Sequence, residues 1–369
     1  MQRAIPVRVA LRLRDAEPAG ITTLAHDLGL SRTSIENALA QLSTHDLVVG
    51  ELGAPRGSGR PARQYRFRSD IGLVAGVDIG VHSIRVVVAD LAGRTVATHG
   101  ATGVDTAEDP SSQLDAVTAC LHETLDRLAP TQLRALGVSL PGIVDPTGRL
   151  LASVIFPAWV GFDLAEKLGH DFGCPVVIDN GVRLATVAEH HLGAGRGFDD
   201  MLYLSVGTRV AAGLIIGGEP RRGAHDVAGD IGRTAFRGLD QRTGQIRWHS
   251  AASAKEVFAL ARQGDRSALA ELERFIEELA HGLAGVAMAI DPAIVVVGGG
   301  MSLAKEELLD PLRRRLTEHI GPTVTLPVIA SRLGEQAAVH GALVAAFRDC
   351  AAHIYSVGDL PPPTIIPAN

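Results

Sequence analysis

The spacing of apolar residues changes near residue 70, and this change constrains the fold more than any other feature of the chain. From about residue 4 to 69 the pattern predicts three short helices followed by an extended hairpin. From about residue 72 to 348, apolar strand runs alternate with helical patterns, which is typical of an α/β domain. The Pro-rich tail that follows is predicted to be an irregular strap or disordered. The sequence therefore predicts a small helical head on a larger α/β body.

The third predicted helix of the head carries the clearest local signals. Gly29 is expected to end the second helix in a left-handed conformation, and Ser31 is expected to cap the third. Four apolar residues of the third helix form a single stripe at helical spacing, which we expect to face the first two helices. They are Ile35, Ala38, Leu39 and Leu42.

Polar side chains of the kinds that contact DNA bases and phosphates occupy the start of this helix. They are Ser31, Arg32, Thr33, Ser34 and Asn37. The Gly/Pro-rich loop before the second strand carries Arg56 and Arg60, and Arg63 follows it. Arginines on such a loop suit phosphates or a narrow minor groove. Together these features predict a winged helix-turn-helix that binds a double-stranded DNA operator, and the alternative is an ordinary capped helix with a solvated loop.

Charge and cysteine usage agree with this interpretation. The first 70 residues contain 10 arginines and 7 acidic residues, although the whole chain has a net charge of -6. The three cysteines are far apart in sequence, and no signal peptide or membrane-spanning run is evident. We therefore expect a cytoplasmic protein with no membrane association.

Several glycine-rich turns follow buried strands of the body, where backbone amides can approach a phosphate. The first strand ends in Asp78-Ile79-Gly80, and a later strand runs into Gly298-Gly299-Gly300. Each turn alone is nonspecific, because such glycines also occur in ordinary hairpins and tight turns.

The order of motifs along the chain resembles the ROK family (repressor, ORF, kinase). After the helical head come D-I-G, L-P-G, A-E-x-x-x-G-A-G-R-G at Ala188–Gly197, Gly207-Thr208, A-G-D-I-G at Ala228–Gly232, and V-V-G-G-G. The resemblance extends from about residue 4 to 348 and is to the branch of sugar-responsive repressors of the xylose and N-acetylglucosamine type. It implies a ribonuclease-H-like (actin-like) sugar-kinase fold, with two α/β lobes around a cleft, assembled as a homodimer or homotetramer. The implied domains are residues 1–70, 71–178, 179–350 and a tail, 351–369.

Departures from the family pattern predict a body without kinase activity. In the family kinases an Asn-Asp pair supplies the general base, whereas here Gly181 occupies the general-base position after Asn180. Glycine cannot accept a proton, and a placed base contributes about 10²–10⁴ in rate. The second phosphate loop retains Gly207 and Thr208 but loses three glycines after them. We therefore regard as degenerate nucleotide loops the positions Asp78, Gly80, Gly207, Thr208, Gly298 and Gly299.

The zinc site of the family is also expected to be lost. Arg233 stands where the resemblance implies a histidine ligand, and residues 240–247 contain no cysteine. Zinc requires three or four N, S or O ligands in a tetrahedral arrangement. The sequence thus predicts neither zinc nor ATP as a cofactor.

Part of the family's sugar site is retained. Asn180 and Asp230 match residues that hydrogen-bond sugar hydroxyls in the family, His249 stands where a second sugar-binding glutamate is usual, and Arg183 replaces another polar residue. These four residues predict an effector site for a sugar or, because of the added positive charge, a sugar phosphate. Three alternatives stay open: a cleft that only holds the dimer, a regulator controlled by a partner protein, and a ROK-type kinase that phosphorylates a hexose with ATP.

Overall fold

The computed structural model describes residues 3–52, 63–232, 236, 240, 244–321, 324–358 and 360–366. None of the helices within this part of the chain combines the length and hydropathy that a membrane span requires. The strands and helices, in chain order, are α1 (Ile5–Arg14), α2 (Ile21–Leu28), α3 (Arg32–Thr44), β1 (Val48–Leu52), β2 (Arg63–Phe67), β3 (Leu73–Ile79), β4 (Ser83–Asp90), β5 (Thr95–Thr102), α4 (Pro110–Leu125), β6 (Leu133–Leu140), β7 (Ile143–Val144), β8 (Leu150–Ala152), α5 (Leu164–Phe172), β9 (Val176–Asn180), α6 (Gly181–His191), β10 (Met201–Val206), β11 (Val210–Ile216), β12 (Glu219–Pro220), α7 (Ala254–Arg262), α8 (Arg266–Ile290), β13 (Ile294–Gly298), α9 (Glu306–Ile320), β14 (Val328–Ala330), α10 (Ala337–Asp349) and α11 (Ala351–Tyr355).

The chain divides into two compact units whose limits differ from the expected domain boundaries. The first unit comprises Met1–Leu140, Gly161–Ile178 and Ala342–Asn369, and the second comprises Pro141–Val160 and Asp179–Gly341. The helical head therefore shares a unit with the first sheet of the body rather than standing alone. The domain boundaries that the resemblance implies remain predictions.

Local sequence signals explain the head. Gly29 ends α2 with φ 63°, and the Ser31 hydroxyl accepts a hydrogen bond from the Ser34 amide at 3.1 Å, so α3 begins at Arg32. The α1 helix begins at Ile5, and Pro6 is preset for its first turn. All four residues of the predicted apolar stripe of α3 are buried. Strands β1 and β2 pair in antiparallel register, with Val48 opposite Phe67.

Both units contain a five-stranded mixed sheet, and the two sheets share one topology. The strand order is β5-β4-β3-β6-β9 in the first and β12-β11-β10-β13-β14 in the second. In each, the central strand begins two consecutive antiparallel hairpins that reach one edge of the sheet. On its other side the central strand pairs in parallel with a later strand, β3 with β6 and β10 with β13. The central strands β3 and β10 are almost entirely buried because helices supply the apolar cover that parallel pairing requires. The predicted α/β class is confirmed.

The C-terminal segment forms a strap on the first unit. Residues 351–355 are helical, and the carbonyl of Pro361 accepts a hydrogen bond from the Arg14 guanidinium of α1 at 2.8 Å. The backbone of Ile366 pairs with Gly93 and Thr95 at the start of β5. Residues 360–366 form an irregular strap, which is the first of the two predictions made for the tail. Residues 367–369 lie outside the described residues.

Tyr355 anchors this strap between the head and the sheet. Its hydroxyl donates to the carbonyl of Leu91 at 2.9 Å, and its ring lies 6.3 Å from that of Phe67, measured between centroids. Burial raises the pKa of Tyr355 to about 12, so the phenol remains a donor at physiological pH.

Tyr355→Phe is expected to lower the free energy of unfolding by about 1–3 kcal/mol, because the buried carbonyl of Leu91 loses its donor. Urea denaturation followed by circular dichroism measures the change. Tyr65→Phe, at a half-exposed position of the head, is the matched control. Equal effects of the two substitutions would contradict the anchoring role.

Candidate functional site

The predicted DNA-contacting residues of α3 lie together at its N-terminal end. Ser31, Arg32, Thr33 and Asn37 are exposed, and Ser34 is half-buried. The hydroxyls of Ser31 and Ser34 are 2.9 Å apart, and Ser31 also accepts from the Ser34 amide. These two hydroxyls are therefore engaged in capping the helix.

Arg63 begins β2, on the hairpin that follows α3. Its Nε donates to the carbonyl of Gly50 at 3.3 Å, and its guanidinium carbon lies 5.7 Å from the centre of the Tyr65 ring. Both contacts hold the side chain along the hairpin. Arg56 and Arg60 lie outside the described residues.

Asn180 sets the start of α6 in the second unit. Its side-chain oxygen accepts from the amides of Val182 and Arg183 at 2.9 and 3.1 Å, and its side-chain nitrogen donates to the carbonyl of Gly142 at 2.7 Å. Gly181 is the first residue of the helix. The predicted sugar ligand Asn180 thus also holds the turn that carries the expected general-base position.

The carboxylate beside this turn, Asp179, is engaged by two arginines. One oxygen accepts from Arg183 at 2.7 Å and the other from Arg222 at 2.6 Å, and the Asp179 and Arg183 side chains are each only 7% exposed. Burial lowers the pKa of the Arg183 guanidinium, and the Asp179 charge opposes this change. Arg183 also donates to the carbonyl of Asp226 at 3.0 Å. We call Asp179, Arg183 and Arg222 the ion cluster.

The ion cluster changes the role expected of Arg183. The sequence suggested an added positive charge for an anionic effector, but the guanidinium is buried and its charge is paired with Asp179. The Asp179–Arg183 pair is four residues apart but joins the end of β9 to the first turn of α6, so the pairing rule for residues within one helix does not predict it. Arg222 lies 43 residues from Asp179 and carries no local signal.

Asp230 lies on the loop that the ion cluster holds. Its side chain is exposed, and Arg183 and Arg222 both contact this stretch of chain at Asp226. The preceding Gly229 has φ +91°, and a Cβ there would lie 1.9 Å from the carbonyl of Ala212. Only glycine fits there, so close packing of the loop on β11 explains the first glycine of the A-G-D-I-G motif.

His249 lies on another part of the second unit. Its Nδ1 is 3.1 Å from Glu271 of α8, and its backbone amide donates to the same carboxylate at 2.7 Å. Burial would raise the pKa of Glu271, but hydrogen bonds from Ser250 and His249 outweigh burial and lower it. The imidazole is 81% exposed and lines a cavity of about 880 Å³ along α8. The contacts of His249 are thus with α8, whereas those of Asn180 and Arg183 are at the start of α6.

The predicted nucleotide loops are held by protein contacts. In the first unit Asp78 accepts from the Ser139 hydroxyl at 2.6 Å and lies 3.5 Å from Arg85, and burial raises its pKa. In the second unit a Cβ on Gly298 would lie 2.0 Å from the Tyr203 hydroxyl, and one on Gly299, with φ +80°, 2.6 Å from the Val206 carbonyl. Packing therefore accounts for both of these glycines without a phosphate.

Gly207 and Thr208 form the turn between β10 and β11. The Gly207 amide donates to the carbonyl of Arg209 at 2.9 Å, and the carbonyl of Thr208 accepts from the Ile246 amide at 2.9 Å. A Cβ on Gly207 would lie 3.9 Å from the amide nitrogen of Gly300, so this turn adjoins the glycine turn after β13. Gly80 likewise closes its own hairpin by donating to Ser83 at 3.1 Å.

The residues present do not fit the zinc site that the resemblance implies. Cys120, Cys174 and Cys350 are all buried in the first unit, whereas the motif lies in the second. Burial raises the pKa of Cys174 to about 12 and that of Cys350 to about 11, and zinc binds thiolates rather than thiols. Within the described residues, no three histidine, cysteine or acidic side chains are grouped to hold a metal. Arg233 and residues 241–243 lie outside that part of the chain.

Glu189 explains the longest shared motif, A-E-x-x-x-G-A-G-R-G. Its fully buried carboxylate accepts from the Ala194 amide at 2.7 Å, the Ser331 hydroxyl at 2.5 Å and the Leu333 amide at 2.8 Å. A Cβ on Gly193 would lie 2.1 Å from this carboxylate. The motif therefore fastens the end of α6 to the loop after β14.

Asp179→Asn is expected to lower the free energy of unfolding by about 3–5 kcal/mol, because Arg183 and Arg222 lose the charge that compensates them. Glu219→Gln, at an exposed position of the same unit, is the control. Chemical denaturation compares the two variants. If Asp179→Asn lowers the free energy of unfolding no more than the control does, the ion cluster does not stabilise the unit.

Asp78→Asn is expected to raise the melting temperature at pH 7. Burial raises the pKa of Asp78, so its charged form costs stability above that pKa, and the cost vanishes as pH falls to the ordinary value of 3.8. The gain of the variant should therefore shrink between pH 7 and pH 4. Calorimetry across this pH range measures the difference in melting temperature between the variant and the parent protein. A difference that grows toward low pH would contradict a raised pKa of Asp78.

Comparison with known proteins places these features in one family. A model of the ROK family matches residues 74–237 and 234–348. A glucokinase of Thermotoga maritima is 31% identical over 245 residues, which are 56% of this chain and 77% of that protein. A xylose repressor of Caldicellulosiruptor bescii is 22% identical over 368 residues, 89% of this chain and 91% of that protein. The crystal structure of a ROK family transcriptional regulator, a homologue of the E. coli MLC protein, has a TM-score of 0.73 at 18% identity and covers 95% of this chain and 96% of that one. Because the family model spans most of its length, this chain belongs to the ROK family.

Proposed function

We propose that this chain is a DNA-binding transcriptional regulator, in which a winged helix-turn-helix head is joined to a sugar-kinase-like body that binds a ligand without transferring phosphate. The observation that carries the proposal is α3, a capped helix whose buried stripe packs in the head while its polar N-terminal end stays exposed. That is how a helix-turn-helix presents its second helix to the major groove. The match to a xylose repressor, which extends over the head as well as the body, supports it.

The second candidate is a sugar kinase, which the likeness to glucokinases favours. Phosphoryl transfer to a sugar needs a base within hydrogen-bond reach of the hydroxyl. Here Gly181 has no acceptor, and both oxygens of the neighbouring Asp179 carboxylate are engaged by arginines. We therefore favour a regulator that uses neither ATP nor zinc.

The start of α6 and the adjoining loop are the proposed effector site. Asn180 and Asp230 are polar groups of the kind that hydrogen-bond sugar hydroxyls, and the charge of Arg183 is paired with Asp179. A neutral sugar suits this site better than a sugar phosphate, because a phosphate would have to compete with Asp179 for the guanidinium. A homodimer, as the resemblance implies, would present two heads to a palindromic operator.

Selection of random double-stranded DNA on the full-length protein tests the proposal. We expect one operator-like sequence to be enriched, and Arg32→Ala and Arg60→Ala each to weaken binding to it about 5- to 20-fold through lost phosphate contacts. Arg262→Ala, an exposed arginine of the second unit, is the control and should bind like the parent protein.

Two results would contradict the proposal. One is the absence of any enriched sequence. The other is sugar-dependent release of ADP from ATP by the parent protein, which would favour the kinase.

A further inference from the structure

The outward face of α3 is defined by the side that the helix buries. Successive residues of an α-helix are about 100° apart around its axis. Opposite the buried stripe of Ile35, Ala38, Leu39 and Leu42 lies an exposed stripe, flanked on its two sides by Glu36 and Gln41. The exposed stripe consists of Thr33, Asn37, Ala40 and Thr44.

The residues at the start of α3 do not share one orientation. Arg32 and Ser34 lie at opposite edges of the helix, each closer to the buried stripe than Thr33 is. Ser34 is half-buried, and its hydroxyl is paired with that of Ser31 in the cap. Thr33 and Asn37 lie one turn apart at the centre of the outward face.

Glu36 adds a negative charge to a face that would approach DNA. It is exposed, and no cation of residues 3–52 or 63–70 lies within ion-pair distance of it. Phosphates repel a carboxylate, so such a residue opposes binding to most sequences. In the major groove, the N4 amino group of cytosine is the donor that a carboxylate accepts.

We propose that Thr33, Glu36 and Asn37 read base edges, with Asn37 recognising adenine through N6 and N7 and Glu36 recognising cytosine through N4, whereas Arg32 contacts phosphate. This assignment rests on the proposed function. It divides the five polar residues at the start of α3 by orientation: Thr33 and Asn37 face outward, Ser31 and Ser34 complete the cap, and Arg32 lies at the edge. Glu36 supplies specificity by penalising sequences that offer it no donor.

The test compares the base preferences of variants by repeating the DNA selection with Asn37→Ala, Glu36→Gln and Arg32→Ala. Asn37→Ala should abolish a preference for adenine of about 5- to 150-fold at one position. Glu36→Gln should reduce a preference for cytosine, because the neutral amide still accepts from N4 but no longer penalises sequences without a donor, and should strengthen binding to unrelated DNA. Arg32→Ala should weaken binding to all DNA sequences alike and reduce the slope of log affinity against log salt concentration by about 1. Thr44→Ala, at the far end of the same stripe, is the control and should change neither preference.

A base analogue makes the Asn37 assignment sharper. Replacing the selected adenine with 7-deazaadenine removes N7. This replacement should weaken operator binding by the parent protein and leave operator binding by Asn37→Ala unchanged. Circular dichroism confirms that each variant keeps its helices.

The outcomes separate the assignment from the proposed function. If the parent enriches no sequence, both fail. If the parent enriches a sequence but base preferences respond to Arg32 and not to Glu36 or Asn37, the assignment alone is overturned.

Discussion

The buried carboxylate of Glu189 is the interaction on which the geometry of the second unit depends. It joins the end of α6 to the turn at Ala194 and to the loop at Ser331–Leu333, and it is fully enclosed. A buried carboxylate without such donors would cost several kcal/mol, so the loops are required to be in place when the unit folds. Gly193 must be glycine because the carboxylate fills the space of a Cβ. The direction of α6, and with it the proposed effector site at its start, follows from this arrangement.

The proposed separation of ligand binding from catalysis rests on the opposite end of α6. Asn180 caps the helix and reaches back to Gly142, so the turn keeps its shape without a catalytic side chain at Gly181. The ion cluster engages the nearest carboxylate, Asp179, with both its oxygens. The turn thus keeps Asn180, which the family resemblance implies as a sugar-binding residue, while both oxygens of the nearest carboxylate are held by arginines.

Contacts between residues close in sequence were predictable, and those between distant residues were not. The Ser31 cap, the left-handed Gly29 and the buried stripe of α3 follow from spacing and residue type alone. By contrast, Arg222 reaches Asp179 across 43 residues, and Arg14 reaches Pro361 across 347. The glycines at the end of β13 show a further limit of prediction from sequence. A turn that binds phosphate and a turn packed closely against Tyr203 would have the same sequence pattern. Orientation around α3 was available from the sequence, since Asn37 falls opposite its apolar stripe and Glu36 falls beside Asn37 at the edge of the exposed face.

The most direct test of a regulator without phosphoryl transfer is a titration of the operator-bound protein with a panel of neutral sugars in the presence of MgATP, recording operator affinity and ADP together. We expect that one sugar changes operator affinity, that operator changes the affinity for that sugar by the same factor, and that ADP stays at background. Sugar-dependent ADP release, with operator affinity unchanged across the panel, would contradict this expectation.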